Sequence, residues 1–147
     1  KKDTPMIFCT LPRSKEKISE FDLEVMIRVF LKDLYNSIER LDGKKINEGY
    51  TIVGYGASAT TTTLISHFEL NKKLKYLVDE NPGKINTFSP GFHIPVYSSK
   101  KLKTDKPDII VILAWRYKKQ IIEKLKKMNL KTLVVTPIPK LEIIKIK

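Results

Sequence analysis

The stretch YTIVGYGASATTTTL, residues 50–64, decides how the rest of the chain is read. A short apolar run enters two glycines one residue apart. A helical pattern follows, with Leu64, Ile65 and Phe68 at helical spacing. Gly54, Gly56 and Ala59 satisfy G-x-G-x-x-A, the relaxed form of the dinucleotide fingerprint. Gly54 permits a sharp turn out of the strand, Gly56 lets a ligand approach bare backbone, and Ala59 lets the helix sit close to the sheet. N–H groups at the helix start, with the helix dipole, favour an anion. Ser58 and Thr60 to Thr63 add hydroxyl donors. Four consecutive threonines are poor helix formers in mid-helix and far better tolerated in a first turn.

Working outward, apolar runs alternate with helical patterns. LKYLVDENPG, from Leu74, is a second strand ending in a turn, and Ile94 to Tyr97 is a third. SSKKLKTDK is a short helix or turn. PDIIVILAW is a continuous apolar run, the mark of a central strand covered on both faces. RYKKQIIEKLKKMNL is an amphipathic helix through Ile121, Ile122, Leu125 and Met128, and KTLVVTPI is a fifth strand. KLEIIKIK alternates weakly, as an edge strand or a docking tail. This order predicts an α/β fold: a Rossmann-like, doubly wound, mainly parallel sheet of about five strands. Upstream, Leu23, Ile27, Phe30, Leu34, Ile38 and Leu41 form one stripe of a long N-terminal helix, with Ser19 as a cap and Gly43 as its stop. Residues 1–17 read as an extended lead-in from an upstream domain. Residues 18–147 read as a single domain.

Composition limits the function classes. The 147 residues carry a net charge of +12, nearly all of it from lysines scattered over helices and turns. Only Arg13, Arg28, Arg40 and Arg116 are arginines. Such a spread reads as solvated surface rather than a nucleic-acid interface, with attraction of phosphorylated ligands or an acidic partner as the alternative. No apolar stretch is long enough to span a bilayer, and no signal peptide opens the chain, so the expectation is cytoplasmic. Cys9 stands alone, which excludes an internal disulfide and a cysteine cluster for zinc.

The second strand ends at Asp79, about twenty residues beyond Ala59, where the fingerprint places a carboxylate for ribose hydroxyls. Asp79 alternatively opens the DENPG turn by bonding its own backbone. His93, in SPGFHIPV, is either a ligand contact at the mouth of the sheet or a residue that holds its loop. Trp115 and Arg116 follow the apolar strand, where strand ends line a ligand crevice. Trp115 either stacks on a base or sugar or packs in the core. Arg116 either forks onto a phosphate or is a helix-start surface residue.

Four blocks in order resemble one family. GYGASATTTTL, VDENPGK, PGFHIPV and ILAW are similar to the C-terminal domain of S-adenosylmethionine-dependent sugar C-methyltransferases. That family's pattern is close to G-Y-G-A-P-A-K-x-x-T-L-L, V-D-x-N-P-x-K-x-G, P-G-x-H-I-P and I-L-P-W-N. The family's proline falls on Ser58 and its lysine on Thr60. The glycine of the second block falls near Asn86 or Thr87, and the asparagine after tryptophan falls on Arg116.

The resemblance implies a chain in which a zinc-binding motif and a methyl-donor domain precede this one. S-adenosylmethionine and zinc would then be held by the missing parts, with neither certain for this piece. The partners implied are a nucleotide-linked deoxysugar and the upstream methyltransferase domain, with no nucleic acid and no membrane. The substrate-binding residues expected are Gly54, Tyr55, Gly56, Ala57, Ser58, Ala59, Thr60, Asp79, Asn81, His93, Trp115 and Arg116. No catalytic residue or metal ligand is expected, and the piece alone transfers no methyl group. Two further classes remain: a stand-alone nucleotide or nucleotide-sugar binding module, and a nicotinamide-dependent oxidoreductase. The last lacks a Tyr-x-x-x-Lys proton donor, since Tyr117 is followed at the fourth position by Ile121.

Overall fold

A computed structural model of the chain describes residues 50–139 and 142–146. The lead-in, and the helix expected between Ser19 and Gly43, lie outside the described residues. Seven strands form one sheet in the order β3-β4-β2-β1-β5-β6-β7. The five inner strands are parallel: β4 (Pro95–Ser98), β2 (Leu74–Asp79), β1 (Ile52–Tyr55), β5 (Ile109–Ile112) and β6 (Thr132–Thr136). They correspond to the five apolar runs of the sequence. Two antiparallel edges are added, β3 (Thr87–Phe88) and β7 (Glu142–Ile146). β3 is two residues long and both are exposed, too short for alternation to reveal it. The weakly alternating C-terminal segment is an edge strand, and its partly exposed residues fit that position.

Three helices connect the inner strands: α1 (Ala59–His67), α2 (Lys101–Asp105) and α3 (Lys118–Lys127). Side chains alternate across the sheet and make two cores. On one face Leu64 and Ile65 of α1 pack with Leu77, Val96, Val111 and Leu113. On the other, Leu102 of α2 and Ile121, Ile122 and Leu125 of α3 pack with Val53, Val78, Ile110 and Ile112. All four residues of β5 are buried, as its unbroken apolar run requires. Each contributes about 1.5–3 kcal/mol of burial.

The chain leaves β1 for β2 on one side and returns through α2 to β5 on the other side of β1. The connections after β1 and β5 therefore diverge to opposite faces. A crevice opens at the carboxyl ends of these strands, where doubly wound sheets bind ligands. Gly54 is not part of the turn that follows. It is buried within β1, and a Cβ there would lie 2.5 Å from Leu77 Cδ2 and 2.8 Å from Leu113 Cδ1. A packing constraint, not a change of direction, demands glycine at this position.

Ile110 is fully buried between the neighbours of both adjacent strands. Ile110→Ala is expected to cost about 2–5 kcal/mol. The change should appear as a lower denaturation midpoint at unchanged slope.

Candidate functional site

The ends of β1 and β5 are tied together before they diverge. The Tyr55 carbonyl receives the N–H groups of both Leu113 and Ala114, each at 3.0 Å. This brings Ala114 onto Gly56, whose φ is +109°. A Cβ on Gly56 would sit 2.6 Å from Ala114 Cβ and 2.9 Å from its nitrogen. The turn then starts α1 with Ser58 as N-cap. Ser58 Oγ receives the Thr61 N–H, and Thr61 Oγ1 receives the Ser58 N–H, a capping box with threonine at its third position. The buried Thr61 hydroxyl also donates to the Gly56 carbonyl at 3.1 Å. The threonine run, Thr60 to Thr63, thus lies in the first turns of α1, where Thr61 serves the cap instead of weakening a mid-helix segment.

Most amides of the turn are already paired. Gly56 N–H donates to the Val78 carbonyl at 2.8 Å. Ala57 N–H donates to Asp79 Oδ2 at 2.7 Å. The amides of Ala59 and Thr60, the first two helical positions, have no acceptor among the described residues. The opening for an anion is therefore narrower than the fingerprint suggests. Asp79 Oδ1 meanwhile receives the Asn81 N–H at 2.9 Å, and Lys84 Nζ lies 3.5 Å from Oδ2. Both carboxylate oxygens stabilise the fold, as in the turn-capping alternative.

A cleft of about 580 Å³ lies above these ends. Of the residues expected from sequence, Tyr55, Gly56, Ala57, Ser58, Thr60, Asp79, Asn81, Trp115 and Arg116 line it. Gly54 does not, being inside β1. Ala59 is exposed beside the cleft rather than tucked against the sheet; Thr61, Leu64 and Ile65 form the buried face of α1. His93 also lies outside. It precedes β4, which runs parallel to β2, so it sits at the amino end of its strand while the cleft lies at the carboxyl ends. Its N–H closes a turn onto the Ser89 carbonyl at 3.1 Å, with φ +53°, which is the loop-holding alternative. Asn86, near the family's glycine, likewise has φ +63°, a conformation asparagine tolerates better than most residues.

The cleft also contains residues that sequence reasoning passed over: Glu80, Lys84, Tyr117, Gln120 and Lys124. Tyr55 Oη donates to Glu80 Oε1 at 2.5 Å, and Lys124 Nζ lies 2.5 Å from Glu80 Oε2. Burial alone would raise the Glu80 pKa, but the donors Lys124, Tyr55 and Ser99 outweigh it and hold the carboxyl below its ordinary value. Burial, and then the acceptor Glu80, push the Tyr55 phenol far up, so it remains a proton donor. Arg116 differs from both lysines. Its guanidinium lies over the Trp115 ring at 5.4 Å, and among the described residues no carboxylate pairs with it. Trp115 packs against the α1-side core, as in its packing alternative, and also lines the cleft. Among the described residues no group of three His, Cys, Asp or Glu could hold a metal, and no helix is long and apolar enough to cross a membrane.

The sheet order and the glycine turn define a Rossmann-like domain with a crevice at the carboxyl ends of its strands. The sequence model of the C-methyltransferase C-terminal domain matches residues 23–139, and the chain belongs to that family. It is similar to the C-methyltransferase NovU of Streptomyces niveus, 29% identical over 79 residues, which is 53% of this chain and 19% of that protein. The chain thus spans about a fifth of that relative. Among solved structures it is similar to UDP-D-quinovosamine 4-dehydrogenase from Vibrio fischeri, at 19% identity and a TM-score of 0.47, covering 66% of this chain and 94% of that one. It is also similar to RSP, a Rex-family repressor, at 16% identity and a TM-score of 0.42, covering 82% and 63%.

Gly56→Ala meets backbone atoms at a positive φ, whereas Gly54→Ala meets only side-chain ends. Gly56→Ala should therefore cost about 2–5 kcal/mol, and more than Gly54→Ala, in parallel denaturation curves. The depressed Glu80 pKa has its own signature. A carboxyl with a lowered folded pKa contributes stability above its unfolded value, near 4.5, and loses it as pH falls through the folded one. Glu80→Gln should lower stability at pH 7, and the difference should shrink as pH falls below the ordinary carboxyl range, followed by thermal unfolding across that range.

Proposed function

We propose that this domain binds the diphosphate portion of a nucleotide-linked deoxysugar and closes over the sugar while a C-methyltransferase alkylates one of its carbons. Residues 18–147 form one domain in this reading, and residues 1–17 lead in from the methyltransferase domain of the same chain. The observation that carries it is Arg116: the cleft cation that stands on an aromatic face with no carboxylate among the described residues to neutralise it. Lys84 and Lys124 are held by Asp79 and Glu80, so the charge left for a ligand is positive. Thr60, with its amide and hydroxyl, lines the same cleft and takes the place of the family's lysine. A planar guanidinium suits a phosphate, which it grips with two parallel hydrogen bonds.

Family membership supports the use of S-adenosylmethionine, which supplies an electrophilic methyl group when bound. An unneutralised arginine opposes a sulfonium cation, which supports placing the methyl donor in another domain. The residues of this chain bind the nucleotide end, orient the sugar and exclude water. Excluding water strengthens each polar contact in the closed site. The cytoplasm is the setting in which both nucleotide-sugars and the methyl donor are available to this chain.

The test is a calorimetric titration of the chain with thymidine diphosphate, uridine diphosphate, nicotinamide cofactors and S-adenosylmethionine. A nucleoside diphosphate should bind, and Arg116→Ala should weaken it about 10- to 100-fold, the loss of a charge-assisted hydrogen bond pair. Binding of a nicotinamide cofactor instead would favour the oxidoreductase class, and binding of S-adenosylmethionine alone would place the donor site here.

A further inference from the structure

We infer that Glu80, not Asp79, is the carboxylate that receives a sugar-ring hydroxyl of the ligand, with Tyr55 and Lys124 as the residues that position it. The inference rests on the reading that a nucleotide-linked sugar enters this cleft. Both acids stand at the carboxyl end of β2, one residue apart, and both line the cleft. Their commitments differ. Asp79 is turned inward: Oδ2 receives the Ala57 N–H and faces Lys84, Oδ1 receives the Asn81 N–H, and the side chain is only 14% exposed. Its oxygens hold the glycine turn to the second strand. A ligand hydroxyl that took them would compete with that tie.

Glu80 is 54% exposed and stands on the opposite side of β2, toward α3. With Ser99 as a further donor, Tyr55 reaches it from β1 and Lys124 from α3, one to each carboxylate oxygen. Tyr55 and Lys124 come from two elements that frame the cleft, so the carboxylate is fixed before any ligand arrives. An ionised carboxylate has about four lone-pair sites, and the fixed donors leave acceptor capacity on its solvent side. Hydroxyls of a ribose or of the linked hexose offer the same donor chemistry. A site built to hydrogen-bond a hydroxyl strongly rejects the analogue without it.

The chain and its Glu80→Gln and Asp79→Asn variants are titrated with three probes: uridine diphosphate, 2′,3′-dideoxyuridine diphosphate and UDP-glucose. Removing a negative charge by itself weakens none of the three diphosphates. The inference predicts weakening for hydroxylated ligands only. If the ribose is gripped, Glu80→Gln weakens uridine diphosphate about tenfold or more and spares the dideoxy probe. If the hexose is gripped, Glu80→Gln weakens UDP-glucose by that factor and spares uridine diphosphate. Either selective loss supports the inference. Glu80→Gln leaving all three affinities unchanged, or shifting all three equally, overturns it. So does a selective loss in Asp79→Asn that Glu80→Gln does not show. Circular dichroism establishes that each variant is folded, and selectivity between probes is a readout that a merely structural role does not move. Should the unsubstituted chain bind none of the three, the nucleotide-sugar reading fails first, and the inference falls with it.

Discussion

The contact of Gly56 with Ala114 is the constraint on which the site depends. Two parallel strands that end together and send their helices to opposite faces must have their exit turns in close contact. The Tyr55 carbonyl draws both Leu113 and Ala114 onto it, and only a residue without Cβ fits opposite. From that point α1 and α3 diverge, and the space between them is the cleft. Any displacement of the contact would move Ser58 and Thr60 on one wall relative to Trp115 and Arg116 on the other. The geometry of the cleft is therefore set by a backbone approach between two strand exits.

Charge in the cleft is arranged in tethered pairs. Asp79 takes an amide of the glycine turn that a ligand phosphate would otherwise use, and Lys84 stands beside it. Glu80 takes a phenol and an ammonium from two different elements. Exposed pairs of this kind add little to stability. Their effect is to fix positions and to leave one unneutralised guanidinium. In the proposed reading, the anion-binding role that a glycine turn ordinarily fills with bare amides is shared with Arg116, on the facing wall.

Much of the architecture was legible in the chain itself. The inner strands are apolar runs because parallel strands are covered on both faces, and the fully buried PDIIVILAW segment reads as central for that reason. The glycine turn and the acid after β2 were likewise visible, since both are local. Less was visible in residues whose role depends on distant partners. Gly54 looks like a turn residue, yet Leu77 and Leu113 from two neighbouring strands make it a packing residue. His93 has the company of Gly and Pro that loops favour at binding sites, yet strand direction puts it at the far end from the cleft. Glu80 and Lys124 are 44 residues apart and carry no motif, so no spacing rule unites them.

Sequence by itself determined that the chain forms a mainly parallel α/β sheet with a glycine turn at its centre. That information is written in burial and in backbone permission, which act within a few residues. Tertiary structure alone decided which protein donors each of the two cleft carboxylates takes. It also decided which cleft cations are neutralised and that, among the described residues, Arg116 is not. Those outcomes depend on strand order and on the faces to which helices are sent, and hydrogen-bond partners are assigned only once the elements have packed.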